Sequence, residues 1–173
     1  GLILSNLEDA ASDGPVNLAQ LEKPLGECKR LIQRMSTTIT DFRDFLVPDR
    51  APVVFSARRA VRDAMTLVAA SFANRHIQLE WVGDADPRLF GFPNEYSQVV
   101  LNLLTNAKDA IGPRAGHVQL DLHIEGGDSL LVVQDNGGGI AESALPRIFD
   151  PYFSTKETGT GIGLYMSKMI VER

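Results

Sequence analysis

Two glycine-rich runs, the first preceded by an aspartate, are the residues in this chain best suited to chemistry. Residues 135–140 read DNGGGI and follow an apolar run at 130–134, and residues 159–164 read GTGIGL and open a helical pattern. Glycines let a backbone approach a ligand closely and supply N–H groups for anionic oxygens, and a helix that begins at such a run adds its positive dipole end. An aspartate that ends a strand can accept a hydrogen bond from a nucleobase amine. The pattern therefore indicates a nucleotide site.

Either glycine run alone is a weak indication, because most glycine-rich segments only turn the chain. The second run lacks the Gly-Lys-Ser/Thr of a P-loop. It also follows a long loop, whereas a Rossmann fingerprint follows a strand. The interpretation therefore points to a nucleotide site of another kind.

A pair of asparagines forms a second candidate site. Asn102 and Asn106 lie four residues apart in the segment 102–111 (NLLTNAKDAI), so on a helix they share one face beside an apolar face. An amide oxygen is a hard ligand that suits Mg²⁺, which binds few protein groups and keeps its waters and substrate phosphates. Taken alone, a pair of surface or capping asparagines is the more ordinary explanation.

Size and composition limit the class of protein. A chain of 173 residues, 44% hydrophobic, can hold one ordinary domain and an appendage. A formal net charge of −5 argues against nucleic acid as the main partner, and a single cysteine, Cys28, argues against a disulfide framework.

Apolar runs are shorter than the about 18 residues that a membrane span needs, so we expect no membrane contact by this segment. The first residues resemble the middle of an amphipathic helix, so we expect the chain to begin inside a longer protein.

Residues 1–48 are predicted to form a helical hairpin, with helices over 1–12 and about 18–47. The second helix carries apolar residues in a strict alternation of three and four: Leu18, Leu21, Leu25, Cys28, Ile32, Met35, Ile39, Phe42 and Leu46. Such a seam is typical of a coiled coil or a helix bundle. Packing within the same domain is the alternative, but we favour half of a dimeric four-helix bundle.

After a linker at 48–52 the pattern predicts an α/β domain. Its elements are a helix over 57–74, strands at 77–82 and 89–92, a helix over 94–111 with Asn94 as N-cap, paired strands at 117–124 and 130–135, a loop over 136–158 and a helix from about 161. The predicted fold class is thus α+β, a helical hairpin followed by an α/β sandwich with a mixed sheet under three helices.

Together these motifs resemble the sensor histidine kinases of two-component signalling, and more broadly the GHKL ATPase superfamily that also holds gyrase, MutL and the heat-shock chaperone ATPases. Residues 102–110 resemble the N box, 135–140 the first glycine box, 149–156 (FDPYFSTK) the F box of the nucleotide lid, and 159–164 the second glycine box. Residues 1–48 resemble the dimerisation and phosphotransfer hairpin, and 53–173 the ATP-binding catalytic domain. The F box and the paired helices separate a histidine kinase from gyrase-like ATPases.

The resemblance implies ATP and Mg²⁺ as cofactors, and it implies a nucleotide-binding set of ten residues: Asn102, Asn106, Asp135, Gly137, Gly139, Lys156, Thr160, Gly161, Gly163 and Leu164. In this set Asp135 would accept a hydrogen bond from the adenine amino group, Asn106 would ligate Mg²⁺, and Asn102 would lie beside the phosphates or the waters of the metal. Gly137 and Gly139 would permit the turn under the nucleotide. Gly161 and Gly163 would face the phosphates as the lid closes. Thr160 would lie near the adenine end. Lys156 either reaches a phosphate or is merely solvated.

The implied activity is ATP-dependent autophosphorylation on histidine by a cytoplasmic homodimer, with onward transfer to a response-regulator aspartate. We expect His76, His117 and His123 to be structural, since none is predicted on a helix or beside an acid, and we expect the acceptor histidine to precede Gly1. The family also continues past residue 173 with strands that complete the sheet. Two alternatives remain open: a hydrolytic ATPase, which needs a carboxylate closer than Glu95 to the N-box asparagines, and a nucleotide-sensing dimerisation module or pseudokinase.

Overall fold

A computed structural model describes residues 25, 26, 28, 29, 32, 51–156 and 159–173. Its elements follow the order β1 (Val53–Ser56), α1 (Ala57–Ala73), β2 (Ile77–Val82), β3 (Arg88–Gly91), α2 (Pro93–Ile111), β4 (Gly116–Glu125), β5 (Asp128–Asp135), a 3₁₀ turn (Leu145–Arg147) and α3 (Gly163–Val171). The hairpin predicted for 1–48 lies outside the described residues, except that residues 25, 26, 28, 29 and 32 are helical.

The strands form two sheets. β2 pairs in parallel with β4, and β4 pairs antiparallel with β5, which gives a mixed sheet in the order β2-β4-β5. β1 and β3 form a separate antiparallel pair. The mixed sheet and the three helices confirm the predicted sandwich. β1 is absent from the prediction because four residues after a proline-containing linker show too short an alternation to indicate a strand.

The hydrophobic core lies between the mixed sheet and the helices α1 and α2. Side chains from all three layers are buried there: Val61, Ala64 and Phe72 from α1, Val100, Leu104, Ala107 and Ile111 from α2, and Ile77, Val118 and Leu120 from the sheet. The buried core positions of α2 recur at intervals of three and four, and those of β4 alternate, as expected for elements that cover one another with one face. This core fixes α2 against the sheet.

Local sequence signals explain where α2 begins. The helix begins at Pro93, and Phe92 is the N-cap residue with extended backbone (φ −111°, ψ 101°). The prediction of Asn94 as N-cap was therefore wrong by two residues. Proline is favoured at the first helical position because its fixed φ suits a helix and its missing N–H has no helical partner there. Asn94 consequently lies inside the first turn.

Two further turns position the candidate site. Gly126 and Gly127, both at positive φ (61° and 98°), join β4 to β5 and set the register in which Asp135 lies opposite Val118. α3 begins at Gly163, two residues later than predicted, because Gly161 has a left-handed φ of 69° that a helix does not accommodate. Within the described ranges, none of the helices is long and apolar enough to cross a membrane.

Candidate functional site

The first glycine run packs directly on the end of α2. Asp135 Oδ1 accepts a hydrogen bond from the backbone N–H of Gly137 at 2.7 Å, and the N–H of Gly138 donates to the Ala110 carbonyl at 3.3 Å. A Cβ atom at position 137 would lie 2.6 Å from Asp135 Oδ1 and 2.7 Å from the carbonyl carbon of Ala110. A side chain at position 137 would therefore clash with α2, which favours glycine there. Gly139 adopts a φ of 72°, so it too has a backbone that favours glycine.

Asn136 is a structural member of this run to which the sequence prediction gives no role. Its side-chain oxygen accepts from the His117 N–H at 2.9 Å, and its own N–H donates to the His117 carbonyl at 3.2 Å. These bonds hold the end of β5 against the start of β4. They fix the point at which the exposed Asp135 leaves the sheet. An asparagine directly after a strand is the signal that indicates such a capping role.

α2 carries one polar face that receives the C-terminal part of the chain. Glu95, Asn102, Asn106 and Asp109 follow one another at intervals of seven, four and three residues, so they share a face. Their partners come from residues 156, 167 and 173. The two predicted asparagines therefore lie where the second glycine run and the lid meet α2.

Asn102 contacts the first turns of α3. Its Nδ2 donates to Ser167 Oγ at 2.7 Å, and Ser167 is 6% exposed. A Cβ atom at position 163 would overlap the Asn102 amide, so Gly163 permits this close approach. The structure thus places Asn102 under the start of α3, and Ser167 is a contact that sequence reasoning missed. Leu164 lies half-buried beside this junction.

Asn106 holds a cation from the lid. The Lys156 ammonium lies 3.0 Å from Asn106 Oδ1 and 2.9 Å from Asp109 Oδ2. Asp109 is a second partner that the sequence prediction left without a role. Ser154 Oγ accepts from the Lys156 N–H at 3.1 Å and shapes the turn that presents the lysine to α2.

The donor set at Asn106 fits magnesium. The amide oxygen of Asn106 already faces the positive charge of Lys156, and the carboxylate of Asp109 lies beside it. The described part of the chain holds no group of three or more His, Cys, Asp or Glu residues that could enclose a metal ion. A cation bound here would take a single protein oxygen and complete its shell with waters and substrate phosphates, as Mg²⁺ commonly does.

The second glycine run lies against the F box. A Cβ atom at Gly161 would overlap the backbone of Tyr152 and Phe153. Tyr152 itself has a left-handed φ of 65°, which is uncommon for a residue with a side chain. The Arg147 guanidinium lies 4.5 Å from the centre of the Phe153 ring, so the 3₁₀ turn also contacts the F box. Thr160 is half-buried next to Gly161.

The sequence-predicted residues thus converge on neighbouring positions of α2. Lys156 contacts Asp109, and Gly137 contacts Ala110, the next residue. The aspartate, both glycine runs and the lid lysine are therefore arranged along the C-terminal half of one helix.

Glu95 lies at the other end of the polar face and is already paired. Its carboxylate accepts from Arg173 Nη1 at 3.2 and 3.4 Å, and its side chain is 8% exposed. The Arg173 guanidinium also lies 4.7 Å from the centre of the Phe92 ring. Because the carboxylate is buried and engaged, it is poorly placed to activate a water molecule.

Comparison with known proteins identifies the class of domain. Residues 91–173 match the family described as histidine kinase-, DNA gyrase B-, and HSP90-like ATPase. This match confirms the resemblance to histidine kinases drawn from the motifs.

Named relatives are sensor kinases. Sensor histidine kinase ZraS of Salmonella typhimurium is 37% identical over 115 residues, which cover 65% of this chain and 24% of ZraS. The sensory histidine kinase/phosphatase NtrB of Rhizobium meliloti is 34% identical over 157 residues, which cover 82% of this chain and 39% of NtrB. The chain therefore spans about a quarter to two fifths of the length of these relatives.

A solved structure of the catalytic domain of histidine kinase ThkA shares the fold. It aligns with a TM-score of 0.65 at 27% identity, covering 70% of this chain and 80% of that domain. The mixed sheet and its helices are thus the architecture of a histidine kinase catalytic domain.

Proposed function

We propose that this chain is the core of a sensor histidine kinase. It binds Mg-ATP and directs the γ-phosphoryl group to a histidine that precedes residue 1, for onward transfer to a response-regulator aspartate. One observation carries the proposal. Asp135, the two glycine runs and the lid lysine all lie against residues 102–110 of α2. Residues 1–48 would supply a dimerisation hairpin, and residues 53–173 the ATP-binding domain of a cytoplasmic kinase.

The nucleotide would lie across the C-terminal half of α2. One oxygen of Asp135 is used by Gly137, so the other oxygen would accept from the adenine amino group. Asn106 would hold Mg²⁺, which neutralises phosphate charge when bound. Gly161, Gly163 and the start of α3 would offer backbone N–H groups to the phosphates. Transfer of a phosphoryl group depends mainly on positioning and charge stabilisation, and these residues can provide both.

Two of the three histidines, His117 and His123, are poor acceptors on geometric grounds. The expectation that none has an acidic neighbour was wrong, because His117 Nε2 lies 2.8 Å from Glu80 Oε2 and His123 Nδ1 lies 3.3 Å from Asp121 Oδ2. Both histidines alternate with the buried residues of β4, so they lie on the sheet face opposite α1 and α2. A phosphate bound on α2 would be separated from them by the sheet.

Hydrolysis of ATP is the less favoured activity. A superfamily ATPase needs a carboxylate that activates water next to the phosphates. Glu95 lies about two helical turns from Asn102 and is bound to Arg173 at 3.2 Å. This pairing supports phosphotransfer over hydrolysis.

Radiolabelled ATP tests the proposed activity. Residues 1–173 should remain unlabelled, whereas the same chain extended upstream through its first helix should gain acid-labile label. Asp135→Ala in the extended chain should remove that label. Acid-labile label on residues 1–173 would place the acceptor inside the chain and contradict the proposal. An extended chain that binds ATP but gains no label would be a pseudokinase.

Magnesium dependence tests the role of Asn106. Asn106→Ala should weaken nucleotide binding strongly in the presence of Mg²⁺ and little in its absence, because the substitution removes the metal oxygen. Thr105→Ala, at the exposed neighbouring position, is the control. Calorimetric titrations with Mg²⁺ and with a chelator give both affinities. Equal losses under the two conditions would assign Asn106 a structural role.

A further inference from the structure

The lid lysine occupies the oxygen that the proposed nucleotide site needs for its metal. Lys156 Nζ lies 3.0 Å from Asn106 Oδ1, and Asp109 Oδ2 holds the same ammonium at 2.9 Å. The lysine is presented by a short turn in which Ser154 Oγ bonds the Lys156 N–H at 3.1 Å. A contact between residues about 50 positions apart in sequence therefore joins the lid to α2.

This contact and a magnesium ion exclude one another. A magnesium ion approaches its oxygen ligands to about 2.0–2.1 Å, so an ion on Asn106 Oδ1 would lie within a few ångströms of the ammonium. Two positive charges at that distance repel each other, and one amide oxygen cannot serve both well. Lys156 must leave Asn106 before a metal can be bound there.

We propose that Lys156 and Asp109 form a latch that holds the lid on α2 when no nucleotide is bound, and that Mg-nucleotide must displace Lys156 from Asn106 in order to bind. This inference rests on the proposed nucleotide-binding function. Asp109 is the residue that keeps the lysine at the site, because its carboxylate supplies the opposite charge. Once displaced, Lys156 stays close enough to meet the phosphates that arrive with the metal.

The latch has moderate strength. The side chains of Lys156 and Asp109 are 39% and 37% exposed, so solvent screens the pair. A half-exposed ion pair favours its closed arrangement by about two- to five-fold. The apparent affinity for a ligand that needs the open arrangement falls by a comparable factor.

Hydrogen exchange in the whole chain without nucleotide tests the latch. Asp109→Asn and Lys156→Met should each speed exchange of residues 150–156 by about two- to five-fold, and the double variant should be no faster than either single variant. Lys29→Met, which removes the same charge at an exposed helical position outside the nucleotide domain, should leave this exchange unchanged. Unchanged exchange in both single variants would overturn the latch.

A binding measurement then separates the latch from a direct metal role of Asp109. Calorimetric titration with Mg²⁺ and a non-hydrolysable ATP analogue should give about two- to five-fold tighter binding to Asp109→Asn than to the wild type. In this variant Lys156 is still present but is no longer held at Asn106 by a carboxylate. Weaker binding would show that the Asp109 carboxylate serves the metal, and it would overturn the proposal. A wild-type chain that binds no Mg-nucleotide would contradict the proposed function, whereas the exchange experiment tests the lid contact without any nucleotide.

Discussion

Positions 137 and 138 of the first glycine run differ in what surrounds their backbone. A Cβ atom at 137 would meet Asp135 Oδ1, the Ala110 carbonyl carbon and Ala110 Cβ at 2.6–2.8 Å, whereas at 138 it would meet nothing within 4 Å. Two of the three clashes involve α2 itself, which the core holds in place. The glycine at 137 is therefore required for packing as well as for any ligand.

This difference gives a prediction with an internal control. Gly137→Ala should lower the free energy of unfolding by about 1–3 kcal/mol, because the added methyl group must push the turn away from α2. Gly138→Ala should change it by less than about 0.5 kcal/mol. Urea denaturation of both variants measures the difference. Equal stabilities would mean that the turn does not pack on Ala110.

At the scale of the elements, a buried polar contact joins α3 to α2. Ser167 is the one buried residue of α3. The large side chains of Met169 and Val171 are 47% and 70% exposed, and the other large apolar side chains of the helix are half-buried. The Asn102–Ser167 hydrogen bond thus fixes the helix that begins at the second glycine run.

Removal of that bond should loosen α3. Ser167→Ala leaves the amide of Asn102 without its partner, which should cost about 1–3 kcal/mol of unfolding free energy. Thr105→Ala, on the same helix as Asn102 but exposed, should be nearly neutral. Chemical denaturation compares the two variants, and hydrogen exchange of 163–171 locates the effect. A neutral Ser167→Ala would show that apolar contacts alone hold α3.

The elements were easier to predict from sequence than the contacts between them. Apolar periodicity and glycine turns predicted the ends of α1, α2, α3 and the β4–β5 hairpin to within two residues. The Asn102–Ser167 and Asn106–Lys156 contacts join residues 65 and 50 positions apart. Such pairs depend on how the chain folds back over α2, and no local sequence pattern predicts that path. The role of Asp109 went unassigned for the same reason, whereas Asn136 had a local signal, its position directly after a strand, that went unused.

At the scale of the whole molecule, two of the described residues of the predicted seam are exposed to solvent. Leu25 and Ile32 are helical and 58% and 67% exposed, and exposed apolar side chains at seam positions favour association with a second copy. Ile32→Glu should therefore convert the proposed homodimer to a monomer, since it places a charge among apolar partners. Lys29→Glu, off the seam on the same helix, should remain dimeric. Light scattering distinguishes these states, and a monomeric wild-type chain would contradict the seam.

The central claim is that Asp135 and the C-terminal half of α2 bind a nucleotide. Calorimetric titration of the chain with ATP and Mg²⁺ tests it most directly, with Asp128→Ala at the opposite end of β5 as the control. Asp135→Asn can still accept from the Gly137 N–H, so it removes the charge without removing the turn. Loss of a charge-assisted hydrogen bond should weaken binding by about ten- to a hundred-fold in Asp135→Asn and Asp135→Ala, while Asp128→Ala binds like the wild type. Wild-type affinity in both Asp135 variants would contradict the account.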